Sequence, residues 1–364
     1  MPVIAAPFIG TLAEHVAELP EAQQQAFRRL YDVRVSHGQL RAPIGMQQWL
    51  QRQFGSVDAV ATQRIVRVTN RVTLEDVLYN ALRSRRPIQM NDGSELMQRL
   101  AQAGSDDPLA DPEETTPEDP FGRVRGEHSV TAANVAKLDA HSGVIVFDEY
   151  NPLVFDRASV TDCFDVGWEW ARQANQFDPA AVYYMLIWNC LWRAGASLLH
   201  GHAQTLLGRG QHYGKVEALR RVACGYSAGA GGNYFDDLFA VHESLGLGFE
   251  VDGVRIMAHL TPLKEKETLV MAPPFHQHLP STAYQVLACL RDRMNVRSFN
   301  LALYQAPIAP VAEDWSGFPN IVRIVDRGDP LSQTSDFGTM ELYGASVVSS
   351  DPFALAEALR EAVV

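Results

Sequence analysis

Hydrophobic residues recur along the chain at two spacings, and the spacing predicts the elements. Arg64-Ile65-Val66-Arg67-Val68 alternates with period two and predicts a strand. Val182 to Asn189 is a continuous apolar run of strand length, and Trp192 to Gly195 follows it as a turn. Thr161-Asp162 opens a segment with Phe164, Trp168 and Ala171 on one face, which predicts an amphipathic helix to about Gln176. Upstream, GEHSVTAANVAKLDAHSGVIVFDEYNPLVF predicts two strands joined by a loop, and Asn134 and Lys137 sit in that loop where they can line a pocket. The same order returns later. Val254 to Leu260 and Thr268 to Met271 read as strands, Ser281 to Met294 as a helix, and Phe299 to Tyr304 and Ile321 to Val325 as strands. Strand, strand, helix, strand, strand thus occurs twice, roughly 120 residues apart, which predicts an α+β chain of tandem antiparallel sheets, each with a packed helix.

The flanks carry weaker patterns. Thr11 with Glu14 is a capping-box signature and Gln23 to Val33 is rich in helix formers, so residues 1–60 are expected to be a helical appendage. Thr73 to Asp76 is expected to start a short helix that ends near the basic cluster Arg83 to Pro87. Residues 104–120, acidic and proline-rich, read as a mobile loop or lid. The glycine-rich 225–235 lacks a preceding strand and a following Gly-Lys-Ser/Thr, so it reads as a flexible junction between a domain at 61–224 and a second at 225–364. Asp351-Pro352 caps a final helix.

Length changes this picture little, since 364 residues suffice for two cores. A net charge of −12 argues against a nucleic acid polymer as partner. The most apolar run, 180–192, is too short to span a bilayer, and the N-terminus has no basic leader, so the cytoplasm is the expected location and no membrane partner is expected. Cys163, Cys190, Cys224 and Cys289 form no CxxC pair.

The candidate chemistry lies in Gly195 to Gln204, GASLLHGHAQ, which reads as the start of a strand. On a strand His200, His202 and Gln204 share one face, with only Gly201 and Ala203 between them. Two imidazoles in that array suit a metal pair, solvated surface groups or nucleophilic catalysis.

The HxHxQ array resembles that of the galactose-1-phosphate uridylyltransferase branch of the histidine-triad superfamily. Asn189, Gly195 and Ser197 stand where that family has an Asn, a Gly and a Ser before its histidines. Lys266 to Met271 stands at its "PFETLLLP" strand and Tyr304-Gln305-Ala306-Pro307 at its "HQAPF". The resemblance spans roughly residues 125 to 350 and implies a tandem of HIT-like domains, the second degenerate. It implies a nucleotidyltransferase or phosphorylase in which His202 takes a nucleoside monophosphate from a nucleotide sugar or dinucleoside polyphosphate and passes it to a sugar phosphate or phosphate. In that chemistry the carbonyl of His200 holds the other ring nitrogen of His202, and Gln204 and Ser197 donate to phosphate oxygens. Asn189 helps hold the nucleotide, and Gln305 faces the second substrate. Arg193, Arg209 and Lys215 are nearby cations. A homodimer is common in the family.

The chain departs from the family in three ways. There is no CxxC, there is no histidine after His278, and Tyr304 replaces the histidine of "HQAPF". A second metal site therefore cannot be assembled, and no cofactor is certain. Zinc at His200 would lack its cysteines and would need His128 or His141. Galactose-1-phosphate specificity does not carry over, and a nucleotide-binding regulatory protein or a hydrolase are the alternative readings.

Overall fold

The computed structural model describes residues 7–85, 95–96, 98–100, 107–230, 232–332 and 334–363. Two sheets organise them. The larger has nine strands, β4 (Ser129–Ala133), β5 (His141–Phe147), β6 (Ala181–Asn189), β7 (His202–Arg209), β8 (Gly248–Val251), β9 (Val254–Ala258), β10 (Glu265–Ala272), β11 (Phe299–Tyr304) and β12 (Asn320–Asp326). Their spatial order is β4-β5-β7-β6-β11-β12-β10-β9-β8. With the extra edge strand β8 set aside, β9 to β12 on one side of the β6–β11 seam have the same internal order as β4 to β7 on the other, first, second, fourth, third. The seam itself is antiparallel, with Asn300 opposite Asn189 and Leu301 opposite Trp188.

Near the middle of the sheet the strands are apolar on the face that the helices cover, and on the other face they carry Asn189, Gln204, Asn300 and Arg323. The helix Arg157–Phe177 packs one face of the first half and touches the helix Leu279–Ala288. Asp156 and Ser159 close a reciprocal capping box that starts the first of these helices four residues before the predicted Thr161. Trp170 on that helix is fully buried against the odd-numbered side of β5 and β7, beside Gly143 and Thr205. Alternation then sends Val144, Val146, His202 and Gln204 to the opposite face.

The smaller sheet corrects the expectation for the N-terminus. Its order is β1 (Tyr31–Gln39), β2 (Thr62–Asn70), β3 (Asp76–Tyr79) and β13 (Ala345–Val348). Residues 1–60 are thus not a purely helical appendage. The helix Glu21–Leu30 ends where Tyr31 enters the strand, and Val33 and Val35 pair with Val68 and Val66. The period-two signal in YDVRVSHGQ is short, and the partner that stabilises it lies about thirty residues on. The helix expected from Thr73 is also absent. Asn70 accepts from the Val72 and Thr73 amides in a side-chain turn that feeds β3 instead.

Two further expectations change. The glycine-rich stretch is mostly helix, Gly214–Ala230, followed by Tyr234–Ser244 capped by Asn233. Gly225 and Gly229 face open space, so each costs the helix only about 1 kcal/mol while Val216 and Ala223 bury its other side. From Asp107 onward the acidic stretch is ordered. Pro112–Thr115 forms a short helix and Asp119 is buried, accepting from Trp170 Nε1 at 2.8 Å. Residues 104–106 and the last two residues of the basic cluster, Arg86 and Pro87, lie outside the described residues, and Ala81–Arg85 form a short 3-10 helix. No described helix is long and apolar enough to cross a membrane.

Candidate functional site

His202 opens β7 opposite Val146 of β5, and Gln204 stands between Val144 of β5 and Ile187 of β6. The same β6–β7 register, carried two residues on, brings Asn189 alongside His202. The Nδ1 of His202 lies 2.8 Å from the backbone oxygen of His200. A carbonyl can only accept, so Nδ1 carries the proton and Nε2 presents a lone pair. Nε2 makes no hydrogen bond to the described residues. Burial is the main cause holding the His202 pKa below its ordinary value, with the nearby His200 ring adding to it and the carbonyl contact working against it. The ring is therefore neutral at pH 7, the form in which it is a nucleophile.

His200 itself is a correction. The strand begins at His202, and 195–201 is a loop, so His200 does not share the face of His202 and Gln204. Its ring turns inward, with Nδ1 2.6 Å from Asp107 Oδ2 and Nε2 2.6 Å from the Phe147 carbonyl. Gly201 makes this bend by close approach. Its amide donates to the Tyr150 carbonyl and its carbonyl accepts from the Phe147 amide, and a Cβ there would lie 2.8 Å from the Glu149 oxygen.

The start of the loop is fixed by unusual backbone. Leu191 has φ +68° although it is buried, and Gly195 has φ +102°. The first costs on the order of 1–3 kcal/mol and persists only where the surroundings impose it. Ala194 and Ala196 both donate to the Leu191 carbonyl. Ser197 follows on the exposed part of the loop.

Asn189 is oriented by residues that the sequence pattern had not singled out. Asn300 Nδ2 donates to Asn189 Oδ1 at 2.6 Å and to the Ala194 carbonyl at 2.8 Å. Arg327, itself paired with Asp336, donates to Asn300 Oδ1, which fixes the Asn300 amide. The Asn189 amide nitrogen is left to face Gly195. Alternation within FNLALY does place Asn300 on this face, but its partner on β6 is a tertiary fact.

Asn300 also marks the near edge of a cavity of about 690 Å³ over β11 and β12, lined by Tyr304, Arg323, Arg327, Lys215 and Lys264. Arg323 is buried between Glu267 at 2.6 Å and Glu75 at 3.1 Å, and Lys215 reaches Glu75 at 3.0 Å. Burial alone would raise the Glu75 pKa, but Arg323, then His259 and Lys215, outweigh it and bring it to about 2. Burial holds His242, stacked on His259, down to about 3. Both groups bind protons more weakly folded than unfolded, so both contribute stability that disappears on acidification. His242 does so as pH falls below 6.5 and Glu75 as it falls from 4.5 toward 2. The urea midpoint is therefore expected to decline below pH 6.5 and to fall more steeply below 4.5. Glu75→Gln should flatten only the lower limb, and an unchanged lower limb in that variant would contradict the assignment.

The remaining predicted residues are not at His202. Lys137 donates to Asp119 and to the Ser142 carbonyl, on the side where Asp119 meets Trp170. Asn134 donates its amide to Ser142, four residues along β5 from Val146 and so about 13 Å from the His202 level. Gln305 is buried with neither amide atom hydrogen-bonded, whereas its neighbour Tyr304 lines the cavity. Arg193 ties down the Arg327 and Thr334 carbonyls, and Arg209 pairs with Asp178.

Zinc does not fit here. Two ligands on one tetrahedral zinc, each at about 2.0–2.2 Å, lie more than about 3 Å apart. The 2.6 Å between His200 Nδ1 and Asp107 Oδ2 is a hydrogen bond, and His200 Nε2 faces a carbonyl. His141 is taken by Asp178 at 2.6 Å. Among the described residues no three His, Cys, Asp or Glu side chains cluster as a metal site.

No protein-family model and no curated protein sequence matches the chain. Solved structures do. An ADP-glucose phosphorylase from Arabidopsis thaliana with bound ADP-glucose aligns with TM-score 0.61 at 15% identity, over 82% of this chain and 98% of that one. A galactose-1-phosphate-uridylyltransferase-like protein from the same plant aligns with TM-score 0.55 at 16% identity, over 70% and 91%. A uridylyltransferase aligns with TM-score 0.55 at 14% identity, over 68% and 88%. The chain shares the fold of these uridylyltransferase-like proteins.

Proposed function

We propose that this chain is a nucleotidyltransferase or phosphorylase that takes a nucleoside monophosphate from a nucleotide sugar or dinucleoside polyphosphate onto His202. The observation that carries this reading is the His202 ring itself, with Nδ1 spent on the His200 carbonyl and Nε2 without a partner among the described residues. The Nε2 lone pair attacks the α-phosphorus, an N–P bond forms, and the P–O bond to the sugar phosphate or remaining phosphates breaks with its electron pair leaving on oxygen. Phosphate or a sugar phosphate then attacks through oxygen, and the N–P pair returns to Nε2. Nδ1–H stays on the His200 carbonyl throughout and steadies the cationic ring of the intermediate. The Gln204 side chain makes no hydrogen bond to the described residues and lies two residues along the same face, where its amide can meet a non-bridging oxygen. Asn189, Gly195 and Ser197 form the nearby rim.

The neighbour with bound ADP-glucose supports a sugar nucleotide as donor. The repeated strand order supports tandem HIT-like domains at 61–224 and 225–364, the second carrying Arg323, paired with its own Glu267 and with Glu75 of the first, on the face where the first carries His202.

The test is exchange at equilibrium. Labelled glucose 1-phosphate incubated with ADP-glucose or UDP-glucose, with no other acceptor, should enter the nucleotide sugar through the covalent intermediate. Exchange that strictly requires a second acceptor would contradict it. Gln204→Ala is expected to slow transfer by about 10²–10³, or 2.7–4 kcal/mol, if its amide meets the transition state as an oxyanion donor does. Single-turnover rates check this, and a loss confined to donor affinity would remove Gln204 from that role.

A further inference from the structure

We infer that Asp107 is a positioning residue that fixes the nucleophile through His200, doing by hydrogen bonds what a bound metal would otherwise do at this imidazole. The inference rests on the nucleotidyl-His202 reading. The chain of contacts starts in the core. Leu109 is buried with Val130, Ala132 and Val146, the last of which is the direct cross-strand neighbour of His202. The Leu109 amide donates to Asp107 Oδ1 at 3.0 Å, and the Ala110 amide donates to the Asp107 carbonyl. One carboxylate oxygen is thereby turned inward, leaving Oδ2 to accept from His200 Nδ1 at 2.6 Å. Both side chains of this pair are almost wholly buried, and a charge-assisted bond of 2.6 Å in that setting is strong and directional.

The far side of the ring is held as firmly. His200 Nε2 meets the Phe147 carbonyl, and Tyr150 packs edge-on against the imidazole at 5.6 Å. With both nitrogens engaged on opposite sides, the His200 ring cannot rotate without losing a buried hydrogen bond. Its backbone is fixed with it, and the His200 carbonyl is the group that sets the tautomer and direction of His202. Asp107 thus acts two contacts away from the reacting atom. Outer contacts of this kind typically change activity by about 10–100-fold when removed.

A positioning role and a merely structural one separate in a double variant. Adduct formation is followed by rapid quench with saturating ADP-glucose or UDP-glucose, with donor dissociation constants measured alongside. Asp107→Ala should slow adduct formation by about 10–100-fold with donor affinity changed little, and Asp107→Asn, which keeps an acceptor for His200 Nδ1, should recover part of the rate. In His202→Gly, free imidazole replaces the nucleophile and no longer depends on the His200 carbonyl. Adding Asp107→Ala to that variant should leave the imidazole-dependent rate unchanged. An equal loss in both backgrounds, or none in the first, would overturn the positioning role. Wild type that forms no adduct would instead overturn the nucleotidyl-His202 reading, and this proposal with it. Protein shown metal-free by elemental analysis after chelation should keep its adduct rate, and a stoichiometric zinc whose removal slows that rate would also overturn the proposal.

Discussion

Replacing His202 by glycine is expected to abolish transfer, with a loss on the order of 10⁴–10⁶-fold in single-turnover rate, because the group that forms the N–P bond is gone. The protein should remain folded. Among the described residues His202 makes one side-chain hydrogen bond, to the His200 carbonyl, and the strand around it is held by its backbone ladder to β5 and β6. Donor affinity should therefore change little, since Gln204, Asn189 and Ser197 remain. Glycine leaves a void of the size of the lost ring, so free imidazole is expected to recover part of the rate. A glycine variant with wild-type turnover would remove His202 from the chemistry.

Arg323→Met is expected to give the largest loss of stability of any single replacement considered, about 3–5 kcal/mol. The guanidinium is the common partner of Glu75 and Glu267, both buried, and methionine would fill its volume without its charge. Lys215 would still reach Glu75, but Glu267 would keep no cation closer than His259 at 3.8 Å beside the Leu263 amide that donates to it at 2.6 Å. The loss should appear as a fall in melting temperature on the order of 10 °C. Replacing both glutamates by glutamine in the Arg323→Met background should restore part of it, because the cost is the unpaired charge rather than the missing bridge. An Arg323→Met protein as stable as wild type would show that solvent reaches this cluster.

The strands and helices of the central sheet were legible in the sequence because their signals are local. VYYMLIWN, FNLALY and NIVRIVD are dense β-forming runs, and the residues of the helix Arg157–Phe177 repeat at helical spacing. The pairing of β1 with β2 was not legible, since helix formers at Gln23 to Leu30 run directly into Tyr31 and the stabilising partner is distant. Glycines 225 and 229 suggested a break because propensity is local, whereas the helix there is maintained by what Val216 and Ala223 bury. At the site, HxHxQ identified His202 and Gln204, and the role of the His200 carbonyl follows from a two-residue offset. Asp107 could not be found that way. It lies ninety-three positions from His200, in a segment whose composition reads as a loop, and only folding joins the two. Lys137 shows the converse, that a residue in a loop expected to line a pocket can be consumed by a salt bridge.

The most direct measurement of the central claim is intact-protein mass spectrometry after brief incubation with UDP-glucose, ADP-glucose, GDP-mannose and diadenosine tetraphosphate in turn. The account expects an acid-labile gain of one nucleoside monophosphate with at least one donor, absent in His202→Ala, and the mass of the adduct identifies the base. Rapid quench extends the search to short-lived adducts. Nucleotide binding with no adduct from any donor on that timescale would contradict the covalent mechanism and leave a nucleotide-binding protein on this fold.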